Sequence, residues 1–80
     1  MESRSVNYIK LYRVTPEQNM ARFYGLSVER DLFGVWIFTR NWGRIGSRGQ
    51  FKHQSFETEH AAIHMLNSFY TRKLRRGYHL

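Results

Sequence analysis

The segment Arg40-Asn41-Trp42-Gly43-Arg44-Ile45-Gly46-Ser47-Arg48-Gly49-Gln50 gathers the side chains best suited to chemistry in this 80-residue chain. The guanidinium groups of Arg40, Arg44 and Arg48 can each fork onto a phosphate or carboxylate. Trp42 offers a flat apolar ring able to stack on a sugar or base. Gly43, Gly46 and Gly49 suit bulge and turn positions, and backbone amides near them can approach an anion. An anion with stackable parts is a nucleic acid. The Gly-Lys-Ser/Thr ending of a phosphate-binding P-loop is missing, so nucleotide hydrolysis is not indicated.

Two of these residues have competing readings. Trp42 is either a core aromatic of the sheet or a partly exposed stacking platform, and its place between arginines and glycines at a strand end favours the platform. Arg44 either pairs with an internal carboxylate or points at a ligand, and with six acids in the chain the ligand is favoured. A second basic cluster, Arg72, Lys73, Arg75 and Arg76, exceeds what complementing a helix dipole requires. Arg22 adds a further cation just before Phe23-Tyr24. Whether these clusters share a side is a matter of tertiary arrangement.

Other constellations are thin. His60 and His64 are spaced to face together on a helix, but no third ligand is evident, so no metal site is expected. Asp31, Glu57 and Glu59 fall in turn or capping contexts. No nucleophile elbow, acid–base pair or cofactor fingerprint occurs, so neither an enzyme nor a cofactor is expected.

The bulk properties agree. Thirteen Lys and Arg against six acids give a net charge of +7, and most of the cations are arginine, the better phosphate ligand. Cysteine is absent, which removes disulfides and thiolate metal sites. Six Phe, five Tyr and two Trp supply the packing that a small unstapled chain needs. The expected organisation is a flexible N-terminus over residues 1–6 and a single domain over residues 7–80. No apolar run is long enough to span a membrane and no secretory signal is visible, so cytoplasmic residence is expected.

The elements that must position these groups follow from periodicity. Asn7 to Val14 reads as a strand with Tyr8, Lys10, Tyr12 and Val14 on one face and Ile9, Leu11 and Arg13 on the other. A loop at Thr15–Asn19 around Pro16 leads to a second strand over about Ala21 to Glu29. Asp31-Leu32-Phe33-Gly34 marks a turn. A third strand, Val35 to Trp42, places Trp36, Phe38, Arg40, Trp42 and Arg44 on one face. Its first half is apolar on both faces, which points to a central strand covered on each side. Gly46-Ser47-Arg48-Gly49 forms a hairpin turn into a fourth strand, Gln50 to Phe56. Thr58 caps a helix with the buried stripe Ala62, Met65, Leu66, Phe69 and Tyr70, closed by Gly77 as a left-handed cap. The fold class is α+β: about four antiparallel strands and one C-terminal helix packed on them.

Trp42-Gly43-Arg44-Ile45-Gly46 resembles the WGR domain, and Leu32-Phe33-Gly34-x-Trp36, Ser47-x-Gly49-Gln50, Phe56, Thr58, Ala61-Ala62 and Arg75-Arg76-Gly77-Tyr78 strengthen the likeness to its short bacterial branch. The likeness covers roughly residues 7 to 79. It implies a small antiparallel sheet with one helix. In DNA-dependent poly(ADP-ribose) polymerases the module precedes the catalytic region, helps grip a DNA break and relays that event. The resemblance implies that Trp42 packs on a terminal sugar or backbone, that Arg44 meets nucleic acid or a neighbouring domain, and that Arg22 approaches phosphate. The relay is not expected to carry over within these 80 residues, which leave no room for the catalytic domain.

The expected interface is therefore Arg22, Arg40, Trp42, Gly43, Arg44, Arg48, Gln50, Lys73 and Arg76. DNA rather than RNA is the expected partner, with ends or nicks preferred and no membrane involved. The alternative is an adaptor that docks on a separate DNA-processing or ADP-ribosylating enzyme. Oligomeric state is left open.

Overall fold

The computed structural model describes residues 7–80; the N-terminal stretch expected over residues 1–6 lies outside them. Four strands form an antiparallel sheet in sequential order: β1 (Asn7–Thr15), β2 (Met20–Arg30), β3 (Trp36–Arg44) and β4 (Gln50–Phe56). One helix, α1 (Glu59–Arg75), follows and packs on one face of the sheet. The α+β reading therefore holds. Boundaries differ from the expected ones by a residue or two, the usual uncertainty at frayed ends. The loop after β1 is tighter than expected: Pro16–Gln18 winds a 3-10 turn, and Asn19 closes it at φ 52°, a conformation asparagine tolerates.

Register fixes which side chains share a face. Ile9 stands opposite Leu26 and Leu11 opposite Tyr24 across β1–β2. Val28 stands opposite Phe38, and Tyr24 opposite Trp42, across β2–β3. Alternation then places Leu11, Leu26, Val28 and Phe38 together, and these are the largest fully buried side chains. The helix supplies Ala62 and Leu66 to the same interior, and Phe69 lies 5.6 Å from Phe38, ring to ring. Burying these groups is the main source of stability, each large side chain contributing roughly 1.5–3 kcal/mol.

The helix ends are fixed locally. Thr58 Oγ1 accepts from the Ala61 amide at 3.1 Å, a cap worth about 1 kcal/mol. At the other end Tyr78 N donates to Lys73 O and Gly77 N to Leu74 O, the paired bonds of a Schellman turn. Gly77 takes φ 93° there, where a Cβ would be strained. The chain then doubles back: Tyr12 and His79 exchange both backbone hydrogen bonds, at 2.7 and 2.9 Å. This closes part of the open edge of β1 and tucks Tyr78 into the core.

One expectation fails. β3 is central, but the helix covers only the face that carries Phe38. The opposite face carries Ile37, which is half-buried and shares a shallow pocket with Glu29, Asp31, Thr39 and His53. The apolar character of both faces thus reflects cover by neighbouring side chains rather than a second layer. Phe23, on the same uncovered face, is buried differently. The β3–β4 turn brings Gly49 against its ring, and Lys10 Nζ sits 5.0 Å above it. No helix among the described residues is long and apolar enough to cross a membrane.

Candidate nucleic-acid interface

The helix is shorter than the sheet is long, and beyond its C-terminal end the covered face opens into a groove. Arg22, Phe23, Tyr24, Arg40, Trp42, Gly43, Lys73 and Tyr78 line it, enclosing about 430 Å³. None of these residues is a carboxylate.

The aromatic wall rests on one cross-strand pair. Tyr24 and Trp42 are register partners, and their rings stack at 5.7 Å with planes 16° apart. Trp42 is half-buried and packed against the core, so it is both a structural aromatic and a groove wall. Tyr78 meets Tyr24 edge-on at 6.1 Å. Arg40 crosses this wall: its guanidinium lies 5.4 Å from the Trp42 ring and 4.5 Å from Phe69, and donates to the Tyr24 hydroxyl at a long 3.4 Å. Such contacts orient a guanidinium while leaving donors available to an anion.

The cations are aligned by the same register. Arg13 faces Arg22 across β1–β2, and Arg22 faces Arg44 across β2–β3. The three side chains form a row on the helix-covered face. Directly opposed like charges destabilise a ladder, so this row is not explained by the fold. Arg44 neither pairs with an internal carboxylate nor points away from the protein. It donates to Asn19 O at 3.1 Å and to Asn19 Oδ1 at 3.2 Å, neutral partners that fix its position and leave its charge uncompensated.

The helix end joins this surface. Lys73 Nζ stands 4.2 Å from the centre of the Tyr24 ring, and Arg72 lies 4.5 Å from Phe69, which Arg40 also approaches. The two basic clusters therefore meet on one side. Burial first, then the charges of Arg76, Arg72 and Arg40, hold the Lys73 ammonium below the usual lysine range.

Of the expected interface residues, Arg22, Arg40, Trp42, Gly43 and Lys73 line the groove. Arg44 continues the arginine row beside it, and Arg76 caps the helix close enough to act on Lys73. Gln50 is the register partner of Trp42 on β4 and is exposed. Arg48 is exposed in the β3–β4 turn and is not among the lining residues; its carbonyl accepts from Asn41 Nδ2 at 3.3 Å, and that of Gln50 at 2.9 Å. Sequence reasoning missed Arg13, Tyr24 and Tyr78 as part of this surface. Arg13 was legible as a cation on the apolar face of β1. Its alignment with Arg22 needed the register.

A cationic groove with stacked aromatic walls and no carboxylate defines a small α+β binding module. The WGR domain family model matches residues 8–80, and the chain belongs to that family, whose members bind nucleic acids in related proteins. It is also similar to the "Uncharacterized protein y4dW" of Sinorhizobium fredii (strain NBRC 101917 / NGR234), with 41% identity over 66 residues. That alignment covers 82% of this chain and 32% of the relative, so the chain spans about a third of its length. No solved structure matches the chain.

Proposed function

We propose that this chain binds DNA through the groove face, with a preference for ends or nicks. The observation that carries the reading is the row Arg13–Arg22–Arg44 running beside the Tyr24–Trp42 stack. Phosphates meet the guanidinium groups, and a sugar or unstacked base at a terminus packs against the indole. Gly43 contributes to the groove lining between Trp42 and Arg44. Lys73 and Arg76 extend the positive surface from the helix end and Arg48 from the β3–β4 turn, while Gln50 on β4 offers a neutral amide. Phosphate contacts dominate and no recognition helix is presented among the described residues, so base sequence contributes little.

Binding measured across salt concentration tests this: about four phosphate contacts give a log–log slope near −3 to −4. Absence of binding to any duplex at low salt ends the proposal. Tighter binding to a short 5′-phosphorylated duplex than to a closed circle supports the preference for ends, and equal affinity per site removes it.

A second reading, docking on a separate protein, is favoured by one observation. Leu32 and Phe33 are 93% and 89% exposed at the β2–β3 turn, the end of that hairpin away from the groove. Asp31 Oδ1 accepts from both Phe33 N and Val35 N, at 2.8 and 2.9 Å, so the pair is presented on an ordered turn. If docking is the principal role, Trp42→Ala in a folded variant leaves DNA affinity unchanged, while co-purification of a partner survives nuclease and is lost in Leu32→Ser/Phe33→Ser.

A further inference from the structure

The cations lining the groove are of two chemical kinds. Arg22 and Arg40 present guanidinium groups, whereas Lys73 is a primary amine able to act as a nucleophile. It is the one lysine among the lining residues. Its Nζ lies 4.2 Å from the Tyr24 ring centre and 5.6 Å from that of Tyr78, on the same Tyr24 ring that stacks with Trp42. Among the described residues, no carboxylate lines the groove to hold this amine in an ion pair. The cations facing it come from several elements: Arg40 on β3, Arg22 on β2, and Arg72 and Arg76 on its own helix end.

Resting on the nucleic-acid reading above, we propose that Lys73 forms an imine with the ring-opened sugar of an abasic site in DNA. A deoxyribose that has lost its base exposes an aldehyde at C1′ and needs only the room of a sugar. The indole of Trp42 packs against its apolar face. Arg22 and Arg40 hold the flanking phosphates. The aldehyde carbon is thereby delivered to the amine beside Tyr24.

The step is a condensation without redox change. The lone pair of neutral Nζ adds to C1′, and the carbonyl π pair moves to oxygen, which takes up a proton. A second proton on that oxygen lets it leave as water while nitrogen loses its hydrogens to solvent. One C=O and one N–H₂ become one C=N and one water, and hydrolysis reverses the sequence. The result is a reversible tether at the lesion. Burial and the surrounding arginines enlarge the neutral fraction of the amine. The Tyr24 ring works the other way, favouring the ammonium, and a minority of free amine suffices for the reaction.

Borohydride, which reduces an imine to a stable secondary amine, provides the test. The full chain is incubated with a duplex containing one abasic site, or with the same duplex carrying a tetrahydrofuran analogue that lacks the aldehyde. The expected result is a covalent adduct with the abasic duplex alone, mapped by peptide mass spectrometry to Lys73. Lys73→Arg, which keeps the charge but has no amine able to form the imine, is expected to lose roughly tenfold or more of the adduct per bound duplex, with binding of each variant to the tetrahydrofuran duplex measured in parallel. An adduct mapped to Lys10, Lys52 or the N-terminal amine, or undiminished trapping in Lys73→Arg, overturns the proposal. Wild-type protein that binds the duplex but yields no adduct also overturns it and leaves the nucleic-acid reading standing. Failure to bind either duplex removes that reading and this one together.

Discussion

Arg22 stands directly opposite Arg44 across the β2–β3 ladder, with Arg13 opposite Arg22 on its other side. Three guanidinium groups in one cross-strand row repel one another, and a polyanion relieves that repulsion. The proposed DNA binding and the stability of the free protein are therefore set against each other at Arg22. Arg22→Gln is expected to stabilise the free protein by about 0.2–1 kcal/mol at low ionic strength, a gain that fades toward 1 M salt as screening shortens. The same change is expected to weaken DNA binding and reduce the magnitude of the salt slope by about one. Urea denaturation and binding isotherms at several salt concentrations check both halves; a variant that loses stability without change in salt slope contradicts them.

If the groove binds DNA as proposed, Trp42 has two roles that substitution can separate. Trp42→Ala removes a half-buried ring from the Tyr24 stack and is expected to cost stability by roughly 2–4 kcal/mol. It also weakens DNA binding by roughly 1–3 kcal/mol. Trp42→Phe keeps a ring against Tyr24 and should recover most of the stability but less of the affinity. Affinity measured well below the melting point of each variant distinguishes the two effects.

Two glycines at the β3–β4 hairpin, Gly43 near the end of β3 and Gly49 just before β4, are set by close approach. A Cβ on Gly43 would lie 2.8 Å from the Gly49 Cα. One on Gly49 would meet the Trp42 carbonyl oxygen and lie 2.9 Å from Phe23 Cζ, at a residue already held at φ 78°. Gly49→Ala is therefore expected to destabilise by about 2 kcal/mol or more. Gly43→Ala should do the same unless the turn lifts from Phe23. Hydrogen exchange would show that lifting as lost protection at the β3–β4 pairs nearest the turn.

Lys73 carries the pH dependence. Its pKa in the folded protein lies below the unfolded value of 10.5 because of burial and then the charges of Arg76, Arg72 and Arg40. The unfolded chain thus holds the proton more tightly. Stability rises with pH across the interval from the folded pKa up to 10.5, and that increment is lost as pH falls through the folded pKa. The side chain is largely solvated, so the increment is small. Lys73→Met should flatten it relative to the wild type. NMR titration of the Lys73 ammonium should show a pKa that rises toward the ordinary lysine value in Arg76→Gln. A wild-type value at or above the ordinary one contradicts this account.

The sequence alone determined the strands, the helix, both helix caps and the alternation that puts Trp36, Phe38, Arg40, Trp42 and Arg44 on one face. These depend on local period and capping chemistry, which neighbouring residues specify. It also marked Arg40, Trp42 and Lys73 as functional candidates by type, and Arg22 by its resemblance to a family position. Only the tertiary structure decided that β3 is covered on one side, that Arg13, Arg22 and Arg44 form a row, and that Lys73 reaches the ring of Tyr24. Register couples residues far apart in the chain, such as Arg22 and Arg44, and the place where a helix ends over a sheet depends on packing across the whole core. Neither is encoded within a window of neighbouring residues, which is why Arg13, Tyr24 and Tyr78 joined the site only once the sheet was assembled.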